Sequence, residues 1–165
     1  MIAPLKGILP RCATMGTRKH RFYPMTFSQR FEDALAFAHR LHRKQKRKTS
    51  GVPYVAHLLG VCALVIEDGG SEDDAIAALL HDSLEDQSYD YPGGRAALAA
   101  EIQARFGPEV LRLVEACTER GTPEERRIRD RAERWRAHKQ SYMEQIVTED
   151  ASVRRISCAD SIYNV

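Results

Sequence analysis

From Thr26 onward, apolar residues recur every three or four positions almost to the end of the chain, and nowhere do they alternate. That period marks helices with one buried face, whereas a half-buried strand needs a period of two. Phe27, Phe31, Ala34, Leu35, Ala38 and Leu41 trace a first helix ending near His42, with Thr26 and Gln29 as its expected capping box. Tyr54, Leu58, Val61 and Val65 carry a second helix that stops at Gly69-Gly70. Ser71 is the predicted cap of a third, with Glu72, Asp73 and Asp74 at the positive end of its dipole. The run Ala75-Ile76-Ala77-Ala78-Leu79-Leu80 that follows is apolar on every side, which suits a helix in the middle of the domain. A fourth helix is expected to end near Phe106-Gly107, and Pro108 at N1 opens a fifth with Val110, Leu111 and Val114 inward. Thr122-Pro123-Glu124-Glu125 predicts the start of a sixth, running to about Val147 with Trp135, Tyr142, Met143 and Ile146 inward. A seventh begins near Asp150 and carries Val153, Ile156, Ala159, Ile162 and Tyr163. The expected fold is all-α, a compact bundle of about seven helices.

The chain has 165 residues, room for one ordinary domain, and at 43% hydrophobic it can bury a real core. A net charge of +2 gives no argument for nucleic acid, which is not expected as a partner. Cys12, Cys62, Cys117 and Cys158 form no CxxC pair, so a zinc knuckle or disulfide framework is unsupported and a reducing cytoplasm fits. The last three fall on predicted helices, where a thiol is ordinarily a small buried hydrophobe. No apolar run approaches the roughly 20 residues that span a bilayer, so no membrane association is expected. Residues 1–25 are turn-rich, then basic, without helical period; the expectation is a flexible tail, with Met25 as a candidate natural start, before a domain over 26–165. The oligomeric state is not legible in the sequence.

Three places break the apolar pattern. His57 stands inside the stripe of the second helix, one turn after Tyr54 and one before Val61. On its own it reads as a core histidine with an ordinary hydrogen bond. His81-Asp82 directly follows the most apolar run, with Glu85-Asp86 a turn later, so that His81 and Glu85, and Asp82 and Asp86, are expected to share faces at i, i+4. Asp160 falls on the stripe set by Val153 and Ile156, with Asn164 one turn beyond. Buried carboxylates without compensation cost several kcal/mol, and a cation reverses the sign. Two imidazoles and two carboxylates suit a divalent metal such as manganese, iron or zinc, with positions left open for water. Such an ion lowers the pKa of bound water toward about 7, and Glu85 and Asp86 are then placed to orient that water or move its proton.

These residues occur in an order that resembles a known family. Gln45-Lys46-Arg47-Lys48, then Gly51-Val52-Pro53-Tyr54-Val55-Ala56-His57, then Leu80-His81-Asp82-Ser83-Leu84-Glu85-Asp86 is similar to the hydrolase domain of the RelA/SpoT group in the HD superfamily. Phe106-Gly107-Pro108-Glu109-Val110, Trp135-Arg136 with Lys139 and Tyr142, and Ala159-Asp160 with Tyr163-Asn164 extend the resemblance over roughly residues 27 to 165. It implies an HD-type all-α fold with manganese on His57, His81, Asp82 and Asp160. It also implies hydrolysis of the alarmone ppGpp at its 3′-diphosphate, releasing pyrophosphate. Glu85 and Asp86 match the family's water-activating pair, Arg47 and Lys48 its basic pair beside the substrate, and Asn164 its nucleoside contact. His57-Leu58 stands where the family commonly has His-Pro, and Glu119 to Ile128 does not follow the family's usual run. Family domains continue beyond the position of Asn164, so a domain cut short at its C-terminal end is expected.

Between Arg40 and Lys48 six lysines and arginines occur without an acid, which is either a solvated helix end or a patch that neutralises a polyphosphate. The arginines of the sixth helix are mixed with acids and read mainly as an exposed face, with phosphate contact by Arg136 and Lys139 as the lesser alternative. Two other functions compete with alarmone hydrolysis. One is a phosphohydrolase of another nucleotide or phosphomonoester; the other is a non-catalytic helical module binding nucleotide or nucleic acid through Arg40 to Lys48.

Overall fold

The computed structural model describes residues 26–118, 122, 125 and 127–164. The tail expected over 1–25 lies outside these residues, as do Pro123 and Glu124 of the predicted sixth-helix start. Among the described residues seven α-helices follow one another: α1 (Gln29–Leu41), α2 (Val55–Glu67), α3 (Glu72–Leu80), α4 (Gly94–Phe106), α5 (Pro108–Cys117), α6 (Arg131–Thr148) and α7 (Ala151–Tyr163). A π-helical turn at Ser83–Gln87 continues from α3. Among the described residues there is no strand, only an isolated antiparallel bridge between Lys46 and Pro53 that closes the α1–α2 loop. No helix among them is long and apolar enough to cross a membrane.

α3 is the hub, packed against α1, α2, α5 and α7. Every residue from Ala75 to Leu80 is fully buried, as expected for a run without a polar side. Its start is set by a reciprocal capping box between Ser71 and Asp74. α1 differs from expectation: its cap is Ser28, not Thr26, because the Ser28 hydroxyl accepts from Arg30 N while the residue also donates to Glu72 on α3. One side chain thus caps one helix and ties it to another.

The single long sixth helix expected from Thr122 is broken. Thr122 and Glu125 do cap each other, but Ile128 and Arg129 leave helical geometry. Asp130 then caps a new start by accepting from Glu133 N, a cap strong enough to nucleate α6 separately. Of the four residues expected inward on α6, Ile146 is buried and Tyr142 partly so, while Trp135 and Met143 are 61% and 57% exposed. Ile162 on α7 is also exposed, and of the three helical cysteines Cys158 is exposed whereas Cys62 and Cys117 are buried. Among the described residues nothing covers these exposed positions.

Stability is expected to follow this division. Leu79→Ala should cost about 2–5 kcal/mol in urea unfolding because it opens a cavity at the hub. Trp135→Ala should change stability by no more than about 0.5 kcal/mol. A large loss from the second would mean that α6 is packed on both faces.

Candidate metal centre

α3 ends at Leu80, and the next residue turns inward. His81 is buried, and its Nδ1 donates to the carbonyl of Ala78 at 2.9 Å, leaving the Nε2 lone pair to face away from the backbone. From α2, where His57 is also buried, a second imidazole brings its Nε2 to 3.4 Å from that of His81. Asp82 Oδ2 lies 3.0 Å from His81 Nε2 and 3.5 Å from His57 Nε2. Asp160 Oδ1, from α7, lies 3.1 Å from His57 Nε2 and 3.5 Å from His81 Nε2. His57, His81 and Asp160 present ligand atoms that all fall within 4.8 Å of one another, and Asp82 adjoins both rings.

These separations test whether the residues fit a metal. With metal–ligand bonds of about 2.1 Å, the edges of a tetrahedral or octahedral ligand shell measure about 3.0–3.4 Å. The observed range of 3.0–3.5 Å matches. Nitrogen and carboxylate donors in this mixture suit a divalent first-row ion. Without a cation, protons take its place. Burial alone would lower the His81 pKa, but the charges of Asp82 and Asp160 hold it well above 6.5. Burial likewise opposes ionisation of Asp160, yet hydrogen bonds from both histidines pull its pKa to about 2.

Outer contacts orient the donors. Tyr54 donates its hydroxyl to Asp82 Oδ2 at 2.6 Å, and Asn164 donates to Asp160 Oδ1 at 2.7 Å. Arg47 lies against His57 Nδ1 at 3.1 Å, donates to Asn164 Oδ1 at 3.1 Å, and its guanidinium sits 5.6 Å from the centre of the Tyr163 ring. Tyr163 rests directly on Gly60, where any Cβ would overlap its ring. A cavity of about 190 Å³ opens beside the cluster, with Tyr54, His81, Asp82, Glu85, Lys139 and Asn164 in its wall.

The structure therefore brings together His57, His81, Asp82, Asp160, Glu85, Arg47 and Asn164. Two other candidates are not in the cavity wall. Lys48 is exposed on the α1–α2 loop, and Asp86 does not line the cavity but accepts from Gln45 at 2.6 Å. α3 has ended and a π turn carries Glu85 and Asp86, yet Asp86 N–H still donates to the carbonyl of Asp82 four residues back at 2.8 Å, and His81 and Glu85 line one cavity. Sequence reasoning missed His42 and Gly60. His42 continues the buried stripe four residues after Ala38, and a mid-helix glycine signals a close approach.

A family model described as HD domain matches residues 34–165. The guanosine-3′,5′-bis(diphosphate) 3′-pyrophosphohydrolase of Aquifex aeolicus is 41% identical over 99 residues, 60% of this chain and 13% of that protein. The human guanosine-3′,5′-bis(diphosphate) 3′-pyrophosphohydrolase MESH1 is 32% identical over 136 residues, 81% of this chain and 66% of that protein. A solved structure of a metazoan ortholog of SpoT that hydrolyzes ppGpp superposes with a TM-score of 0.65 at 27% identity, covering 84% of this chain and 70% of that one. The chain thus spans just under two thirds of the human relative and a small part of the bacterial one.

Two outcomes are expected. Gly60→Ala should displace Tyr163 and destabilise the fold by about 1–3 kcal/mol. In a Tyr163→Ala background the same change should add almost nothing, as a double-mutant cycle in urea would read. The second concerns pH in the presence of chelator. The stabilisation from His81 is complete below 6.5 and is lost as pH rises through its raised pKa. That from Asp160 is present above 3.8 and is lost as pH falls toward 2. Melting temperature should therefore fall on both sides of a plateau, and a value that climbs steadily into alkaline pH would contradict the ion pairing.

Proposed function

Because the chain belongs to the HD domain family, we propose that residues 26–165 form one metal-dependent phosphohydrolase domain that hydrolyses the 3′-diphosphate of the guanosine alarmone ppGpp. The observation that carries this reading is the convergence of His57, His81, Asp82 and Asp160 within 3.0–3.5 Å contacts at the mouth of a cavity that Glu85 also lines. The family relationship and the activity named for the relatives support it. Manganese is the proposed ion, since two imidazoles and two carboxylates leave positions open on a borderline cation. When bound, it supplies Lewis-acid activation of water and of a phosphoryl oxygen.

The chain's own residues do the rest. Glu85 accepts the proton of the attacking water from the cavity wall, with Asp86 beside it on the same turn. Hydrolysis breaks the bond between the 3′ oxygen and phosphorus; the water oxygen joins phosphorus, pyrophosphate leaves, and a proton ends on the 3′ oxygen of the guanosine nucleotide. Arg47 offers a fixed fork to the phosphate oxygens, with Lys48 as an outlying charge, and Asn164 contacts the nucleoside. The small nucleotide is the proposed partner. A reducing cytoplasm is the proposed location, in keeping with free thiols at Cys62, Cys117 and Cys158.

The test is metal analysis of the purified protein followed by manganese-dependent turnover of ppGpp. Asp82→Ala should lose both metal and turnover, while Glu85→Gln should keep the metal and lose on the order of 10²-fold or more in kcat. Pyrophosphate should be the product. Orthophosphate released equally from ordinary nucleotides would point to a different phosphohydrolase. Binding that survives Asp82→Ala and weakens steeply with salt would point to a non-catalytic module.

A further inference from the structure

Behind the metal centre lies a set of polar side chains that the proposed chemistry leaves unused. His42, at the end of α1, is 2% exposed, and its Nδ1 donates to Gln45 Oε1 at 2.6 Å. Gln87 Nε2 donates to the same oxygen at 2.5 Å. With its oxygen accepting twice, the Gln45 amide has one orientation, and its Nε2 donates to Asp86 Oδ2 at 2.6 Å. The backbone of Gln45 is held as firmly: its N–H donates to His42 O and its carbonyl accepts from Tyr54 N, both at 3.0 Å. On its other face the His42 ring stacks on Tyr54, 5.3 Å between centroids and 17° between planes, and Tyr54 donates to Asp82. Burial lowers the His42 pKa and favours the neutral ring, and a proton on Nδ1 is the tautomer that lets it donate to Gln45 Oε1.

The π turn over Ser83–Gln87 needs such a hold. Its backbone amides at Glu85 and Asp86 both donate to the one carbonyl of Asp82, at 3.2 and 2.8 Å. A turn of five residues has little intrinsic stability, and side-chain ties decide where its carboxylates point. Gln45 grips it at two places, Asp86 and Gln87, and both grips lead to one buried imidazole.

We propose that Gln45 is a positioning residue for hydrolysis: its amide ties the π turn to buried His42 and so fixes Glu85 at the cavity wall while Asp82 is held through Tyr54 from the same ring. The proposal rests on the phosphohydrolase reading for its kinetic consequence. It assigns Gln45 no contact with substrate. The same residue sits two positions before Arg47, so the α1–α2 loop and the π turn share an anchor.

The experiment uses the full chain and three variants. Gln45→Met removes every bond of the amide. Should it not fold, Gln45→Glu keeps an acceptor for His42 and replaces the donor to Asp86 with a carboxylate oxygen that repels it. Gln45→Glu with Asp86→Asn restores one hydrogen bond with its polarity reversed. Hydrogen exchange at the Glu85 and Asp86 amides should accelerate roughly tenfold in Gln45→Glu and return toward the unaltered rate in the double variant. In manganese-dependent ppGpp turnover, Gln45→Glu should lower kcat on the order of 10²-fold with KM and metal content little changed. Unchanged exchange at the turn, or a rate loss that merely tracks loss of metal, overturns the proposal. If the unaltered protein fails to hydrolyse ppGpp, the substrate reading falls, and the exchange rates still judge the tie to His42.

Discussion

The structure is organised around the placement of ionisable groups at the end of its most apolar helix. From Ala75 to Leu80 nothing polar reaches solvent, and the next two residues are His81 and Asp82. Charge in that position is costly unless other charge meets it. α2 supplies His57 and α7 supplies Asp160, and the contacts of 3.0–3.5 Å between the two histidines and the two carboxylates are what make their burial tolerable. The helix packing must therefore be accurate at this one point, and α3, in contact with both α2 and α7, is the element that makes it so.

Around that point, small features gain leverage. Gly60 lets the Tyr163 ring lie against the α2 backbone, and Tyr163 in turn borders His57 and carries the Arg47 guanidinium over its face. A glycine in mid-helix costs about 1 kcal/mol relative to alanine, a loss offset by a close approach that larger side chains would forbid. The end of α3 follows a similar logic. His81 uses its Nδ1 on the Ala78 carbonyl, and the chain then opens into a π turn where a regular helix would have continued. Departures from regular helix of this kind concentrate at functional sites because they aim side chains that ideal geometry cannot.

Much of this was legible in the sequence, and the limits have physical causes. The apolar run of α3 and the Ser71 cap are local signals, and each appears in the structure where the residues place it. His57 and Asp160 stood out because they interrupt apolar stripes. Their meeting is a tertiary fact that the cost of burying charge suggested and the family-like order of motifs made specific. Where two local signals compete, the reading went astray: Thr122–Glu125 and Asp130 are both good caps, and the structure uses both, breaking the helix between them. Trp135, Met143 and Ile162 looked inward because periodicity reports a stripe without reporting whether a neighbour exists to cover it. The π turn has no sequence signature at all, and so the bond from Gln45 to Asp86 that it permits was not legible.

The distribution of charge also separates phosphate chemistry from simple adhesion. A surface for nucleic acid displays its cations outward along a groove or stripe. Arg40, Arg43, Lys44, Lys46 and Lys48 are exposed in that manner, but Arg47 is folded onto His57 Nδ1, Asn164 and the Tyr163 face, beside the carboxylates. An arginine drawn away from solvent toward a histidine and an asparagine serves a small anion better than a polymer. Its planar guanidinium lies beside the cluster of His57 and Asp160, the position the proposed phosphate contact needs. Lys139 stands in the wall of the same cavity, on a different helix. Two carboxylates beside two imidazoles, with arginine and lysine at the margin, are the charge distribution that the proposed polyphosphate substrate requires. That balance, more than the number of basic residues, supports the proposed phosphohydrolase reading over simple adhesion.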